Sequence, residues 1–345
     1  MYDYLFVTHL PSLYKVNLFN QLAKRLKIYV IFIGASSVKR TSDFISNDYD
    51  FEYGILFEGD FEFRKKILTI VKLIKIISNV SSNKVVIGGW DLLEFWLTLF
   101  LNNKLKNALI VESTIIESST SWIKSKVKKF FLSRISLVFY SGNLHLQLLE
   151  ALDYKGDKCL TGGVGIFNRL PYNKTRPNFS RSFLYVGRLS QEKNLQLLIA
   201  VFNRLPYHTL TIVGSGPLDD VLKKIASNNI TFKAHVPNRE IANVYLAHDV
   251  FILPSLREPW GLVVEEALYY GLPVIVSTHV GCYTELVDER STGFTFAPQD
   301  GERLLGLIHR FSLPQVFNEM KKNVALIDFP KREETQILAY VACRK

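Results

Sequence analysis

The sequence predicts an α/β fold of two domains, each a parallel sheet flanked by helices. Short apolar runs of strand length alternate with longer segments of helical period through both halves of the chain. With 345 residues, the chain is too long for one typical domain and fits two of about 150–170 residues. Its composition, 48% hydrophobic and 21% charged, supplies apolar material for two cores.

The first domain is predicted over residues 1–168. Five apolar runs predict its strands, at Tyr4–Thr8, Ile28–Gly34, Val85–Gly88, Ala108–Glu112 and Leu137–Ser141. Five segments of helical period lie between or after them, at Asn17–Lys27, Phe63–Ser78, Asp91–Leu101, Ser121–Arg134 and Asn143–Ala151. Residues 36–62 are polar and aromatic without a clear period, and we interpret them as variable loops and short strands.

A polar stretch with two prolines, residues 167–180, is the predicted linker to a second domain over residues 180–328. The predicted strands of that domain are 182–187, Thr209–Gly214, Thr231–Ala234, Val250–Pro254, Val274–Ser277 and Phe294–Ala297. The predicted helices are Asn194–Arg204, Leu218–Ser227, Arg239–Ala247, Leu262–Tyr270 and Asp300–Phe311. Residues 329–345 predict one more short helix.

The first residues, the apolar runs and the cysteines predict the cellular compartment of the protein. The first residues predict a strand rather than a signal peptide, and no apolar run reaches the ~18 residues of a membrane-spanning helix. Three scattered cysteines, Cys159, Cys282 and Cys343, have no metal-binding spacing and fit free thiols in a reducing compartment. We therefore expect a cytoplasmic protein. Without a zinc-finger spacing, an RNA-recognition motif or a basic tail, no nucleic-acid partner is expected.

The net charge of +10 is uneven, with +7 in residues 1–169 and +3 in the remainder. Two stretches concentrate the excess, Arg64–Lys75 and Lys124–Arg134, and both alternate cations with apolar residues at roughly helical spacing. Helices of this kind lie on anionic membranes, which predicts a peripheral contact with the inner face of the cell membrane. The alternative is an ordinary solvated helix face over a core.

Two carboxylates, Glu258 and Glu266, lie eight residues apart where an apolar strand is followed by a loop, a helix and another strand. This places Glu258 in a loop at the carboxyl end of a strand and Glu266 in the first turn of the next helix, on the rim where open α/β sheets bind ligands. A carboxylate can accept two hydrogen bonds from a vicinal diol. The alternative is that Glu265 and Glu266 only favour the helix N-terminus electrostatically.

Two glycine-containing turns follow the first two strands of the second half. Arg188 and Lys193, after Gly187, place two cations on a strand-to-helix turn, as a pyrophosphate requires, unless Arg188 only pairs with Glu192 in a solvated turn. Gly214 and Gly216 would allow a ligand to approach the backbone closely.

These segments resemble those of retaining glycosyltransferases of the GT-B superfamily, family 4. Glu258 and Glu266 match the Glu-x7-Glu motif, residues 187–194 match Gly-Arg-Leu-x-x-x-Lys-Gly/Asn, and residues 213–217 match Val-Gly-x-Gly-Pro. The resemblance implies two Rossmann-like domains facing a cleft, an acceptor-binding first domain and a donor-binding second. It also implies that helix 329–345 returns to the first domain.

The resemblance implies a role for each motif residue. Arg188 and Lys193 would hold the donor phosphates and neutralise the leaving group, Glu258 would lie by the transferred carbon, and Glu266 would bind the ribose hydroxyls. Cations of the protein would replace a metal, so neither metal nor cofactor is expected, and a nucleotide diphosphate sugar is the donor substrate. Further donor-side residues implied are Gly187, Gly214, Gly216, His235, Val236, Pro259, Trp260, Gly261, Leu262 and Val263.

Two segments depart from the family pattern. Ala234 and His235 stand where relatives have a glycine in the segment that reads the base, so His235 either contacts the base or is a partly buried structural histidine. Cys282 takes the place of a second glycine beside Gly281 and is interpreted as a packing residue.

The family's N-terminal Gly-Gly loop is absent from the first half. Polar and aromatic residues instead follow three predicted strands and are the acceptor-side candidates, each with a structural role as the alternative: His9, Ser12, Tyr14, Lys15, Trp90, Asp91 and Glu112. The segment containing Glu112 resembles one of enzymes that build bacterial surface polysaccharides.

The predicted function is transfer of a sugar, with retention of configuration, from a nucleotide diphosphate sugar to a hydroxyl of a lipid-linked or glycan acceptor. A UDP-sugar is favoured and a GDP-sugar is open. The setting implied by the resemblance is synthesis of a bacterial capsule, O-antigen or lipopolysaccharide. The alternatives are a non-catalytic GT-B partner that binds sugar or lipid, and another GT-B enzyme such as a nucleotide-sugar epimerase.

Overall fold

The computed structural model of the chain describes residues 1–40, 42–118, 122–170 and 179–344. Contacts between Cα atoms divide the chain into two compact units, one formed by Met1–Asn168 with Pro330–Lys345 and the other by Arg169–Phe329. Residues 171–178 of the predicted linker and Ser121 of a predicted helix lie outside the described residues.

The first unit contains seven strands among its described residues: β1 (Tyr2–Thr8), β2 (Ile28–Phe32), β3 (Glu52–Ile55), β4 (Ser82–Ile87), β5 (Asn107–Val111), β6 (Leu137–Tyr140) and β7 (Asp157–Leu160). Its helices are α1 (Leu13–Ala23), α2 (Lys66–Asn79), α3 (Leu93–Leu101), α4 (Trp122–Ser133), α5 (Asn143–Ala151) and the C-terminal helix α13 (Phe329–Ala342). All strand pairs are parallel, in the order β3-β2-β1-β4-β5-β6-β7. The order reverses between β1 and β4, which is where α/β sheets bind ligands.

Two apolar layers cover this sheet. One includes Leu73 of α2, Phe95 of α3 and Phe131 of α4, so these helices share one face. The other includes residues of α1 and, from α13, Ile337 and Tyr340. The Tyr4 hydroxyl donates to the Tyr340 carbonyl over 2.7 Å. The last helix of the chain therefore belongs to the core of the first unit.

The second unit repeats the arrangement. Its strands are β8 (Ser182–Val186), β9 (Thr209–Val213), β10 (Ile230–Lys233), β11 (Val250–Leu253), β12 (Val274–Ser277) and β13 (Gly293–Phe296). Its helices are α6 (Leu195–Phe202), α7 (Asp219–Ile225), α8 (Ile241–Leu246), α9 (Leu262–Tyr269), α10 (Tyr283–Leu286), α11 (Gly301–Phe311) and α12 (Pro314–Val324). The parallel order β10-β9-β8-β11-β12-β13 reverses between β8 and β11.

The α/β fold of two parallel sheets is confirmed. Three strands or α-helices were missed. Strand β7 exposes Asp157 and Lys158 and has no alternating apolar pattern, and α10 is only four residues long. Helix α12 has a sparse apolar face of Phe317, Met320 and Val324. Helix α1 begins at Leu13, four residues earlier than predicted. None of the helices formed by the described residues is long and apolar enough to cross a membrane.

Candidate functional site

The turn after β8 is held by hydrogen bonds to buried residues of the sheet. Tyr185, fully buried in that strand, donates its hydroxyl to the Arg188 carbonyl over 2.9 Å. The Gly187 amide donates to the Val213 carbonyl at the end of β9. These two bonds position the Arg188 backbone, while its side chain remains 46% exposed and lies 3.8 Å from Glu192. The ion pair weighed as an alternative for Arg188 is therefore present, and it is loose and solvent-accessible.

The glycines after β9 are required by the protein itself. A Cβ on Gly214 would lie 1.9 Å from the Gly187 carbonyl oxygen, and one on Gly216 would lie 2.4 Å from that of Leu189. Gly214 also has a φ of +144°, a conformation that L side chains rarely adopt. Close approach of a ligand to these glycines stays a prediction. In the structure, the missing side chains of Gly214 and Gly216 allow the backbone of the turn that carries Arg188 to pack against them.

Lys193 ends the short 3-10 helix Gln191–Lys193, and Asn194 follows in the left-handed conformation, with φ of 58°. The Asn194 side-chain Nδ2 donates to the carbonyls of Pro254, after β11, and Pro298, after β13. The Glu192 carbonyl accepts from the Leu256 amide over 2.8 Å. The turn of Lys193 is thus joined to loops that follow two other strands of the sheet.

Glu258 lies in the loop after β11, as predicted. Its amide donates to the His279 carbonyl over 3.2 Å, and its carbonyl accepts from the Gly281 amide over 2.8 Å, so the two loops form a short parallel bridge. The Glu258 carboxylate contacts the Lys193 ammonium, and both side chains are largely buried, at 15% and 13% exposure. The structure thus brings a predicted phosphate ligand and a predicted sugar ligand together at the point where the strand order reverses.

Glu266 belongs to the second turn of α9, because the helix begins at Leu262 and its first-turn acid is Glu265. The prediction that Glu266 lies in the first turn is therefore wrong. Its carboxylate accepts a hydrogen bond from the Tyr245 hydroxyl over 2.7 Å. Burial raises the pKa of Glu266 to about 7, although the Tyr245 hydrogen bond acts in the opposite direction.

The segment between the two carboxylates has mixed roles. The Trp260 side chain is buried and donates to Glu265 over 2.7 Å, so its ring packs inside the unit and only its backbone can reach a ligand. The Pro259 carbonyl lies against Gly281, where a Cβ would come within 1.8 Å. Gly261 precedes α9 with φ of +100°. The amides of Leu262 and Val263 then open the helix, where they have no intrahelical acceptor and suit an anion.

The segment after β10 is open to solvent. His235 is exposed, so the interpretation as a partly buried structural histidine is wrong, and contact with a base stays a prediction. Val236 beside it is partly buried. Cys282 is fully buried, as expected for a packing residue.

In the first unit, polar residues meet at the carboxyl ends of β1 and β4. His9 Nε2 lies 3.0 Å from Asp91 Oδ2, and since a carboxylate only accepts, the hydrogen belongs to this nitrogen. The His9 ring packs edge-on against Phe95. Burial acts to raise the pKa of Asp91, but the hydrogen bond and charge of His9, a backbone hydrogen bond and the Lys15 charge together outweigh it, so the pKa is lowered.

A second polar pair lies beside β5. Lys15 Nζ is 2.6 Å from Glu112 Oε1 and donates to the Thr8 hydroxyl over 3.2 Å. Burial acts to lower the pKa of Lys15, but Glu112, with Tyr14 and Asp91, reverses this effect and the net shift is upward. Both side chains line a small cavity with Thr8 and Gly88.

The other acceptor-side candidates have visible structural contacts. Ser12 is buried ahead of α1, and the Tyr14 ring packs against Phe44. The Trp90 carbonyl accepts from Trp96, and the Trp90 ring lies under the Lys128 ammonium. Among the described residues, no group of three or more His, Cys, Asp or Glu side chains could hold a metal ion.

Residues 172–325 match the family model described as "Glycosyl transferases group 1". The match spans nearly the whole second unit and every residue of the site built there. The second unit is a group 1 glycosyl transferase domain. The two-sheet architecture, with this domain as its second half, is the GT-B fold.

Two relatives illustrate the similarity of the transferase domain. The sulfoquinovosyl transferase SQD2 of Arabidopsis thaliana is 36% identical over 36% of this chain and 26% of its own length. The UDP-Gal:alpha-D-GlcNAc-diphosphoundecaprenol alpha-1,3-galactosyltransferase of Escherichia coli is 32% identical over 41% of this chain and 39% of its own. The chain therefore matches well under half of either relative's length.

A solved structure extends the similarity beyond the transferase domain. Anabaena HepE, in complex with UDP and glucose, has a TM-score of 0.72 and 15% identity, covering 99% of this chain and 100% of its own. At this identity, the likeness establishes the fold.

Two residues of the transferase domain were missed by sequence reasoning. Tyr245 binds the Glu266 carboxylate, and Tyr185 holds the Arg188 carbonyl. Both have an apolar environment in sequence and read as core residues. The available signal was a tyrosine at a position where a buried strand or helix could equally hold phenylalanine. A buried hydroxyl requires a hydrogen-bond partner, so such a tyrosine indicates a polar contact.

Proposed function

We propose that the chain is a retaining glycosyltransferase that moves a sugar from a nucleotide diphosphate sugar to an acceptor hydroxyl. The observation that carries this proposal is the Lys193–Glu258 contact beside Arg188, at the point where strand order reverses in the sheet. It combines cations for a diphosphate with a carboxylate for a sugar in one site. A UDP-sugar is the favoured donor, in keeping with the UDP-binding neighbour and the UDP-Gal-using relative.

The chemistry follows from where charge develops. The bond from the anomeric carbon to the diphosphate breaks with both electrons going to the diphosphate, and the acceptor oxygen bonds to the same face of the sugar. Arg188 and Lys193 stabilise the negative charge of the departing group. Glu258 stabilises the positive charge on the ring carbon, and the acceptor proton passes to the departing phosphate. These cations make a metal or other cofactor unnecessary in the proposed reaction.

Glu266 anchors the nucleotide in this proposal. A ribose diol would donate to the carboxylate, which already accepts from Tyr245 and has oxygen lone pairs for further donors. The Leu262 and Val263 amides face the diphosphate as a helix N-terminus. Gly187, Gly214 and Gly216 act indirectly, by allowing the two turns to pack.

The first unit would hold the acceptor, which we propose to be lipid-linked or glycan in bacterial surface polysaccharide synthesis. The support is the relative named for a diphosphoundecaprenol acceptor. His9 with Asp91 and Lys15 with Glu112 offer donors and acceptors for hydroxyl groups at the ends of β1, β4 and β5. For such an acceptor, we propose that the protein works at the cytoplasmic face of a membrane.

A thermal-shift screen against UDP, GDP, ADP, TDP and CMP, with EDTA present, tests the donor site. A ligand that binds only the folded protein raises its melting temperature. We expect a clear shift with one diphosphate, reduced in Glu266→Ala. NMR of the product from an α-linked donor should then show an α-linkage. The absence of any shift would favour a non-catalytic partner protein, and a β-linkage would overturn retention.

A further inference from the structure

Three neighbouring helices of the first unit expose apolar residues on their outward faces. Helix α2 buries only Thr69 and Leu73 among its 14 residues, while Ile67 is 78% exposed and Leu68 and Val71 are more than half exposed. An ordinary covering helix behaves differently: α11 buries Leu304, Leu307, Ile308 and Phe311. The solvated-face interpretation of this basic stretch therefore does not explain its apolar residues.

Helix α4 repeats the feature. Trp122 is 69% exposed, and Ile123 and Phe130 are exposed beside it, while only Phe131 and Leu132 are buried. Helix α3 connects the two, because α2 and α3 pack together and the Trp96 ring of α3 stacks on Phe130 of α4 at 6.3 Å. We call the exposed side chains of α2, α3 and α4 the three-helix surface, to which α3 contributes Leu93, Phe100 and Leu101.

The charge on this surface has one sign. Helices α2 and α4 contain no acidic residue. The single acid of α3, Glu94, is fully buried and paired with Arg64. The exposed cations among the outward apolar residues are Lys66, Lys72, Lys75, Lys124, Lys126 and Lys129.

We propose that the three-helix surface binds the headgroup region of an anionic lipid bilayer. Apolar side chains and a tryptophan would enter the boundary between headgroups and acyl chains, and the lysines would contact the anionic headgroups. A second copy of this chain fits less well, because two surfaces without acidic residues would repel each other. The proposal does not depend on the transferase chemistry, since all its residues lie outside the donor site.

Vesicle flotation of the full chain tests this proposal. The protein should float with phosphatidylglycerol–phosphatidylcholine vesicles at low salt, and far less with phosphatidylcholine alone or at about 0.5 M salt. Lys72→Ser with Lys124→Ser should weaken partitioning by roughly 25-fold, about fivefold per cation. Ile67→Ser with Trp122→Ser should weaken it by about tenfold or more.

Matched controls lie in the second unit. Tyr207 and Leu326 are 81% and 75% exposed there, so their serine variants remove two similarly exposed large side chains elsewhere. Lys224→Ser with Lys322→Ser removes two exposed cations elsewhere. Both controls should float like the wild type.

Two outcomes overturn the proposal. One is a wild type that stays in the soluble fraction with anionic vesicles at low salt, or surface variants that float equally well. The other is a dimer in sedimentation that Ile67→Ser with Trp122→Ser dissociates, without flotation, which would assign the surface to a second copy. A UDP-induced thermal shift in the same variants separates this question from the donor site.

Discussion

The Lys193 ammonium contacts the Glu258 carboxylate across the two central strands of the second sheet. The proposed donor site therefore contains an internal ion pair between a cation and a carboxylate. In the proposed reaction, the diphosphate would be a second anion for Lys193.

Lys193→Ala should lower kcat/KM by about 10²–10³-fold, because it removes a cation from the departing diphosphate. Glu258→Gln should lower it similarly, and the double variant should lose less than the product of the two, because the residues act as a unit. Steady-state assays of UDP release measure both. Arg204→Ala, which breaks an exposed ion pair with Glu302, is the control and should leave the rate unchanged. A loss in the double variant equal to the product of the two single losses would contradict coupling between Lys193 and Glu258.

Glu266 should make stability depend on pH. With its pKa raised from 4.5 to about 7, the folded protein holds a proton that the unfolded chain has released. Stability from this group is therefore greatest below about pH 4.5 and falls as pH rises towards about 7. Relative to the wild type, the free energy of unfolding of Glu266→Gln should increase by up to about 3 kcal/mol between about pH 5 and 8. Urea denaturation measures this difference. A difference independent of pH would disprove the shift.

Tyr245→Phe should raise the pKa of Glu266 further, because it removes the hydrogen bond that stabilises the carboxylate. NMR titration of a 13C-labelled carboxylate would follow it directly. Nucleotide affinity near neutral pH should fall, since less of Glu266 is ionised. A downward shift of the pKa would show that Tyr245 does not stabilise the ionised form.

Gly216→Ala should destabilise the second unit by about 1–3 kcal/mol, because its Cβ meets the Leu189 carbonyl at 2.4 Å. It should also weaken UDP binding, because the displaced turn carries Arg188. Gly306→Ala is the matched control: it lies exposed within α11 with nothing near its Cβ, and should stabilise by about 0.5–1 kcal/mol. Chemical denaturation and calorimetric UDP titration measure both effects. Unchanged stability in Gly216→Ala would contradict the close packing.

Lys15→Met should destabilise the first unit, because it leaves Glu112 without its cation. Since the Glu112 side chain is about one-third exposed, the expected loss is about 1–3 kcal/mol rather than that of a fully buried charge. Adding Glu112→Gln should recover part of it in urea denaturation. If the double variant is less stable than Lys15→Met, the pair is not the cause.

Sequence reasoning placed Glu258, Arg188 and Lys193 on the correct turns, because strands with apolar runs fix where each loop begins. It did not anticipate the Lys193–Glu258 contact, since 65 residues separate them and only the parallel pairing of β8 and β11 brings them together.

The glycines show a different limit. A glycine that admits a ligand and one that admits a neighbouring turn have the same signature in sequence, so the reason for Gly214 emerged only from the Gly187 carbonyl beside it. Likewise, β7 was missed because edge strands tolerate polar residues.

The place of α13 in the first core has a consequence for biosynthesis. Ile337 and Tyr340 are buried against strands formed from the first residues of the chain, with the whole second unit encoded between them. During translation, the second unit can complete its core before the first can, even though the first begins earlier. At 5–20 residues per second, the N-terminal sheet would wait roughly 10–30 s with one apolar layer incomplete, a period in which it depends on chaperones or on its own partial packing.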